Sequence, residues 1–441
     1  QSRMNEGKKQ ILSYAKETGA SFNKATPNFE GSINESDLFA ALKLIIEYET
    51  GIKIPATHNG LGYNNLIYMS LLLAKMQVDS DGSYLGSNAK VFPILAIEEP
   101  EAHLHPSMQY KFLKFLRENK DKNKRARQIF ITTHSTNLTA AVSLDELICL
   151  YPINENLSVG YPGKVFTSDD IGKKSKAYVQ RFLDATKSDM LFAQKVILVE
   201  GLSEQILVPV FAKYLGKKLE DEHITVISVG GRYFDHFLKL FDTPNPNTIP
   251  KKLACITDRD PERKNKIKGY SQKIYPFELH LDDANYEYKI NASEQITLYQ
   301  SHSNIRFFSQ DSSKGKTFEY DIVLHNPGAK LILTDSLSNK PELEELFQMY
   351  KDQKTLTELI EKLRSSEEND KIIEGINANI LFNEEEKKKA LLASRYLKSL
   401  SKGEYALELS YVLEKNISSN QSAEAFQVPT YIKEVIEWIW Q

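Results

Sequence analysis

The stretch Val196-Ile-Leu-Val-Glu200-Gly-Leu-Ser-Glu204 decides the fold, read together with Leu253-Ala-Cys-Ile-Thr-Asp258-Arg-Asp260. Each begins as a short apolar run and ends in acids. Residues 195–199 read as a strand, Gly201 as a turn, and 203–215 as a helix that carries Glu204. Residues 224–229 form a second strand ending in Gly230-Gly231, and 253–257 a third. Short apolar strands alternating with helices build a parallel α/β sheet. The C-terminal ends of neighbouring parallel strands share one edge. Glu200, Glu204, Asp258 and Asp260 are therefore expected in one small space.

Packed carboxylates repel one another unless cations sit between them. Hard divalent ions, Mg2+ or Mn2+, take oxygen ligands of this kind. Two such ions about 3.5–4 Å apart clamp the attacking and leaving oxygens of a phosphodiester. The alternative is a flavodoxin-like domain with scattered acids. From Lys251 to Lys273 there are eight Lys/Arg against Asp258, Asp260 and Glu262. That basic run lies where a DNA backbone would need neutralising.

A second α/β pattern lies upstream. Residues 92–97 are an apolar strand followed by Glu98-Glu99-Pro100-Glu101. This is the Walker B arrangement: the first acid holds Mg2+ through water, and the second polarises the attacking water beside the γ-phosphate. A helix over 106–119 leads to a strand at 129–133, which ends in His134, positioned to sense the γ-phosphate. A third apolar run covers 146–151. Asn59-Gly60-Leu61-Gly62 opens a helix over 64–76, whose first N–H groups suit a phosphate held across a dimer. Residues 38–48 read as a helix, within an N-terminal helical segment 1–57. No G-x-x-x-x-G-K-[ST] loop occurs; the nearest match ends in Gly315-Lys316-Thr317, with Gln310 in place of glycine. Without that cradle the chain alone is expected not to hydrolyse ATP. It begins at Gln1 and reads as a fragment, with ATP a cofactor of the full-length protein.

The expected organisation is 58–154 for the ATPase lobe, 155–190 for a connector, and 191–441 for the second domain. Within the latter, 286–332 reads as an irregular or hairpin insertion. Leu356, Leu359, Ile360 and Leu363 have helical spacing. Asn383 with Glu386 forms a capping box, and Pro429 opens a last helix.

Bulk properties are those of an ordinary globular protein: 41% hydrophobic, 26% charged and a net charge of −3. The overall charge favours no polyanion, so nucleic acid would need a local patch. A second basic run, Lys111 to Arg127, has eight Lys/Arg against Glu118 and Asp121. No apolar run of about 18 residues suggests a membrane helix. The cysteines, Cys149 and Cys255, lie in strand-like runs, which excludes a disulfide framework and fits a reducing, cytoplasmic setting.

Residues 97–106, Ile97-Glu-Glu-Pro-Glu-Ala-His-Leu-His-Pro106, resemble the ATPase heads of the ABC class, including RecF-like and SMC-like proteins. That resemblance puts His103 and His105 in the loop after Walker B, facing a partner subunit, rather than in a metal site. Glu200-Gly201 with Asp258-x-Asp260 resembles the Toprim domains of topoisomerases, primases and small nucleases. The two together resemble the OLD (overcoming lysogenisation defect) family of ATP-dependent nucleases, which includes the nuclease of Gabija phage defence. The match runs over about residues 58–441. It implies a metal-dependent DNA endonuclease, acting as a homodimer or higher oligomer, with a possible helicase or other defence partner. It also implies that Phe318-Glu319-Tyr320 carries a later acid and Lys402-Gly403-x-Tyr405-Ala406 the catalytic lysine. Arg259 departs from the glycine common at that position. The alternatives are a RecF-like DNA-binding protein with a non-catalytic Toprim domain, and a Toprim topoisomerase or primase.

Overall fold

A computed structural model describes residues 9–14, 17, 26–30, 43–80, 92, 94–121, 128–153, 156–184, 186–279, 285–419 and 424–441. The chain divides into two compact units, residues 1–147 with 180–189, and residues 148–179 with 190–441.

In the first unit, β1 (Thr26–Glu30), β2 (Lys43–Glu47) and β3 (Lys53–Pro55) form an antiparallel sheet in that order. This corrects the helical reading of 38–48 and, over these strands, of segment 1–57, in which residues 9–14 are helical. Residues 43–47 are a strand, and residues 38–42 lie outside the described residues. A short run such as Ile45-Ile46 suits either period, and β-branched residues with partners on both sides settle on the strand. The helix Leu61–Ser80 follows. β4 (Ile94–Glu98) then crosses through the helix Pro106–Asp121 to β5 (Gln128–Thr132), which pairs with it in parallel. Leu95 and Ile97 of β4 face the core with Ile46, Leu66, Phe112 and Phe115. The period-2 alternation leaves Glu98 on the exposed side.

The second unit opens with the hairpin β6 (Cys149–Ile153) and β7 (Asn156–Gly160). Its centre is a four-stranded parallel sheet. The strands are β8 (Lys195–Val199), β9 (Ile224–Ser228), β10 (Lys252–Ile256) and β14 (Ile305–Phe308), in the order β14-β10-β8-β9. Four consecutive residues, Val196 to Val199, are fully buried, as expected for a strand covered on both faces. Each such side chain contributes about 1.5–3 kcal/mol. Between β10 and β14 the chain builds a small antiparallel sheet of β11 (Glu262–Asn265), β12 (Ser271–Lys273) and β13 (Tyr286–Lys289).

The insertion expected over 286–332 is therefore mostly regular, and it supplies a strand of the central sheet. C-terminal helices complete the core through Leu391, Tyr405, Leu409, Ile432, Val435 and Ile436. Asn383 and Glu386 cap the helix Glu384–Leu397 reciprocally, at 2.9 and 3.0 Å. Pro429 stands at the start of the helix Thr430–Trp440. Among the described residues no helix is long and apolar enough to cross a membrane.

Candidate active site

Glu200 directly follows β8, and Asp258 lies two residues after β10. Register pairs Val199 with Ile256, so both acids leave the same sheet edge. Thr257 Oγ1 donates to Glu200 Oε1 at 2.5 Å, and the Asp258 backbone N–H donates to the same oxygen at 3.0 Å. Behind them Gly231 N–H donates to the Glu200 carbonyl at 2.8 Å, from a backbone with φ +130°. Burial pushes the Glu200 carboxyl above its ordinary value, against the two hydrogen bonds that favour its charge. Asp258 is half-buried, and its carboxyl is held well above the carboxylate range. Burial is the first cause, and the charges of Glu204, Glu200, Glu319 and Asp260 follow. Five carboxylates thus share one field.

Glu204 is buried in the first turn of the helix Leu202–Tyr214, and Glu319 is buried in the first turn of the helix Phe318–His325. The Gly315-Lys316-Thr317 segment is the turn that opens the second of these helices. Thr317 accepts from Tyr320 N–H as its cap, and Lys316 Nζ donates to the Ile274 carbonyl at 2.6 Å. Asp260 sits in the left-handed region at φ +36°, and Lys273 Nζ donates to its Oδ2 at 2.7 Å. Such backbone strain persists only where the surroundings over-determine it.

Gln310 carried no functional expectation in the sequence. It is 1% exposed, two residues past β14. Its Nε2 donates to Asp258 Oδ1 at 2.6 Å and to the Tyr431 hydroxyl at 3.1 Å, and its Oε1 accepts from Arg259 N–H at 3.0 Å. Arg259 Nε donates to the Gln310 carbonyl at 2.8 Å. The arginine that departs from the family pattern is thereby tied down beside the acids.

The donor set fits a divalent cation in kind: hard oxygens of like charge, crowded together and partly withdrawn from water. Among the described residues no three acidic, histidine or cysteine side chains converge on one point as a ready cage. Glu200 and Asp258 are instead held by Thr257 and Gln310. Lys402 is the first residue of the helix Lys402–Ser418. Glu319 raises the Tyr405 hydroxyl along with burial, so the acid's field reaches the turn that begins at Lys402. The basic run splits. Lys251 Nζ donates to the carbonyls of Met190, Leu191 and Ala193, at the other end of the strand from Asp258. Of the cations from Arg263 to Lys273, Arg263 and Lys264 lie on β11, Lys273 on β12, and Lys266 and Lys268 in the turn between them.

In the first unit, Glu98 ends β4 and Glu99 follows with φ +40°. His134 Nε2 lies 3.6 Å from Glu99 Oε1. Glu101 joins the two strand ends: its Oε1 accepts from Thr133 Oγ1 at 2.5 Å and His134 N–H at 2.9 Å. Gly60 immediately precedes the helix Leu61–Ser80. A Cβ on Gly62 would stand 2.2 Å from the His103 carbonyl oxygen, so only glycine lets this turn approach the loop after β4.

Residues 1–139 match the AAA ATPase domain family, and residues 191–260 match the overcoming lysogenization defect protein-like TOPRIM domain. Endonuclease GajA of Bacillus cereus (strain HuB5-5) is 26% identical over 338 residues, 68% of this chain and 47% of that protein. The OLD nuclease of Thermus scotoductus (strain ATCC 700910 / SA-01) is 26% identical over 204 residues, 46% of this chain and 36% of that protein. The solved C-terminal region of the Burkholderia pseudomallei OLD protein shares 20% identity at a TM-score of 0.32, over 56% of this chain and 98% of that one. The chain spans about half the length, or less, of the curated relatives it matches. The chain thus carries, in order, a stretch similar to AAA ATPase domains over residues 1–139 and a stretch similar to overcoming-lysogenization-defect-type TOPRIM domains over residues 191–260.

Proposed function

We propose that this chain forms part of a metal-dependent DNA endonuclease, with its nuclease centre in residues 191–441 and an ATPase lobe over about 58–154 that regulates it. The observation that carries this is the convergence of five carboxylates at one sheet edge, with Glu204 and Glu319 buried and Asp258 half-buried in the field of the other four. Such an arrangement is costly for a fold and useful to a cation site. Glu200, Glu204, Asp258, Asp260 and Glu319 would hold Mg2+ or Mn2+, two ions in all. Bound there, the ions supply an activated water and charge neutralisation for in-line phosphodiester cleavage.

The protein's own groups do the rest. Thr257 and Gln310 orient the first two carboxylates. Lys402 neutralises charge on the phosphate or protonates the leaving oxygen. Glu98, Glu99 and His134 take the ATPase roles, with Gly60 and Gly62 at the phosphate-facing turn. ATP as the lobe's nucleotide, self-association and a defence partner complete the reading. Plasmid nicking with Mg2+ or Mn2+, with and without EDTA, tests the reading. Nicking that survives EDTA, or its absence with either ion, overturns it.

A further inference from the structure

The hairpin that follows Asp260 ends in a tip whose chemistry the acids do not explain. Asn265 is 8% exposed and organises the turn. Its Oδ1 accepts from Ile267 N–H at 3.0 Å and from Lys268 N–H at 2.7 Å. Its own N–H donates to the Tyr270 carbonyl at 3.0 Å, and its carbonyl accepts from Gly269 N–H at 2.8 Å. Gly269 adopts φ +72°, which glycine alone takes at little cost. The tip is thus pre-organised. It nevertheless presents Ile267 at 81% exposure and Tyr270 at 49%.

Cations surround these two apolar side chains. From Glu262 to Lys273 the chain carries five Lys/Arg against Glu262 alone. Lys264, Lys266 and Lys268 are exposed. The base of the hairpin is fixed to the candidate site by Lys273 on Asp260 at 2.7 Å, and by Ile274 N–H on the Pro261 carbonyl at 2.9 Å. Ile267 lies seven positions beyond Asp260. At about 3.3 Å per extended residue, the tip lies within roughly 23 Å of that acid.

We propose that this hairpin engages duplex DNA beside the cleavage centre, its lysines on phosphates and Ile267 wedged between base steps with Tyr270 beside it. The inference rests on the reading of the chain as a protein that acts on DNA. Lysine is depleted at the cores of protein–protein interfaces, whereas phosphate binding demands it. An apolar side chain on a rigid basic tip is the device by which architectural proteins unstack and kink DNA. The wedge kinks the duplex near the acids and opens the backbone to them.

The test measures binding of the whole chain, in EDTA, to a short duplex carrying aminopurine at successive positions. Wild type should bind and brighten aminopurine at one step. Ile267→Ala should abolish that brightening and bind about tenfold more weakly, on the scale of one base stacked on a side chain. Lys264→Ala and Lys268→Ala should each flatten the salt dependence of log K by about 0.9 for every phosphate left without its cation. Ile267 is exposed, so its replacement leaves the fold intact, which circular dichroism checks. Wild-type brightening and affinity in Ile267→Ala overturn the wedge. So does tip-dependent binding to phosphatidylserine vesicles with no effect on DNA. Because no metal is present, failure of the chain to cut DNA leaves this result standing, and failure of the wedge leaves the nuclease reading standing.

Discussion

Nε2 of Gln310 donates to Oδ1 of Asp258 across 2.6 Å, from a side chain buried at the end of the sheet's edge strand. The same amide accepts from Arg259 N–H at 3.0 Å, so one residue orients the acid and the backbone beside it. Gln310→Ala should leave Asp258 free to turn. Groups that orient metal-binding carboxylates are typically worth about 10–100-fold in metal affinity or activity. The expected result is a higher Mg2+ midpoint for cleavage, together with a loss of about 1–3 kcal/mol of stability from the partners left unpaired. An unchanged midpoint would make Gln310 merely a core residue.

The acids themselves should behave differently from ordinary buried residues. Glu200→Ala, Asp258→Ala and Asp260→Ala should each abolish nicking. Asp258→Asn removes one of several like charges held together at some cost. In EDTA its melting temperature should equal or exceed that of wild type. A clear fall in stability, with nicking at the wild-type rate, would show the acids to be structural.

How far the sequence revealed this site depends on how local each signal is. Glu200 and Asp258 each follow an apolar run, and that pattern is contained within a few residues. Gln310 has no such signature. Its strand is only Ile305–Phe308, with Arg306 inside it, and its partner strand Leu253–Ile256 lies some fifty residues away in sequence. Gly403 lies inside a helix whose buried residues Tyr405, Ala406 and Leu409 outweigh the cost of a glycine. The capping box at Asn383 was legible because both partners sit within four residues.

Two glycines near the start of the Leu61–Ser80 helix provide a controlled comparison. A Cβ on Gly60 meets open space, whereas one on Gly62 would stand 2.2 Å from the backbone oxygen of His103. Gly62→Ala must displace the turn or the loop after Glu99. A cost of about 1–3 kcal/mol is expected, as for overpacking. Gly60→Ala should be close to neutral. Urea unfolding of the two variants distinguishes them, and equal midpoints would contradict the close approach.

Glu342 and Arg395 form a buried pair at 2.7 Å, with side chains 4% and 8% exposed. Burial alone would raise the Glu342 carboxyl. The Arg395 guanidinium and the Arg364 backbone N–H outweigh it and leave the carboxyl below its ordinary value. A depressed folded value means that the contribution is complete above the ordinary glutamate value of about 4.3 and is lost as pH falls through the lower folded one. Glu342→Gln should cost about 3–5 kcal/mol near neutral pH, because it strands the guanidinium. It should also flatten the acid limb of the stability curve. Urea midpoints from about pH 7 down to about pH 3 measure both effects. An acid limb as steep as that of wild type would rule out Glu342 as its source.

Lys402 opens the helix Lys402–Ser418, with Ser401 at its N-cap making no side-chain cap hydrogen bond. A surface lysine kept for helix stability belongs at a C-terminus, because the positive end of the macrodipole repels a cation at the N-terminus. This lysine is therefore misplaced for the helix. The opposed reading also changes in sign: if Lys402 only occupies the surface, Lys402→Ala should leave cleavage intact and stabilise the helix by about 0.3–1 kcal/mol. If it serves the phosphate, its charge adds to the positive end of the helix dipole rather than opposing a structural need. Glu319, one of the acids in the field of Asp258, is also felt at Tyr405, within the first turn of this helix. Catalysis by Lys402 predicts a loss of about 10²-fold or more in the cleavage step, the scale of a removed electrostatic donor. DNA affinity and the Mg2+ midpoint should change little, since the acids and the basic hairpin remain. Single-turnover cleavage by Lys402→Ala, measured beside a DNA-binding titration and a melting curve, separates the readings. A rate within about threefold of wild type, with a raised melting temperature, would return Lys402 to the surface.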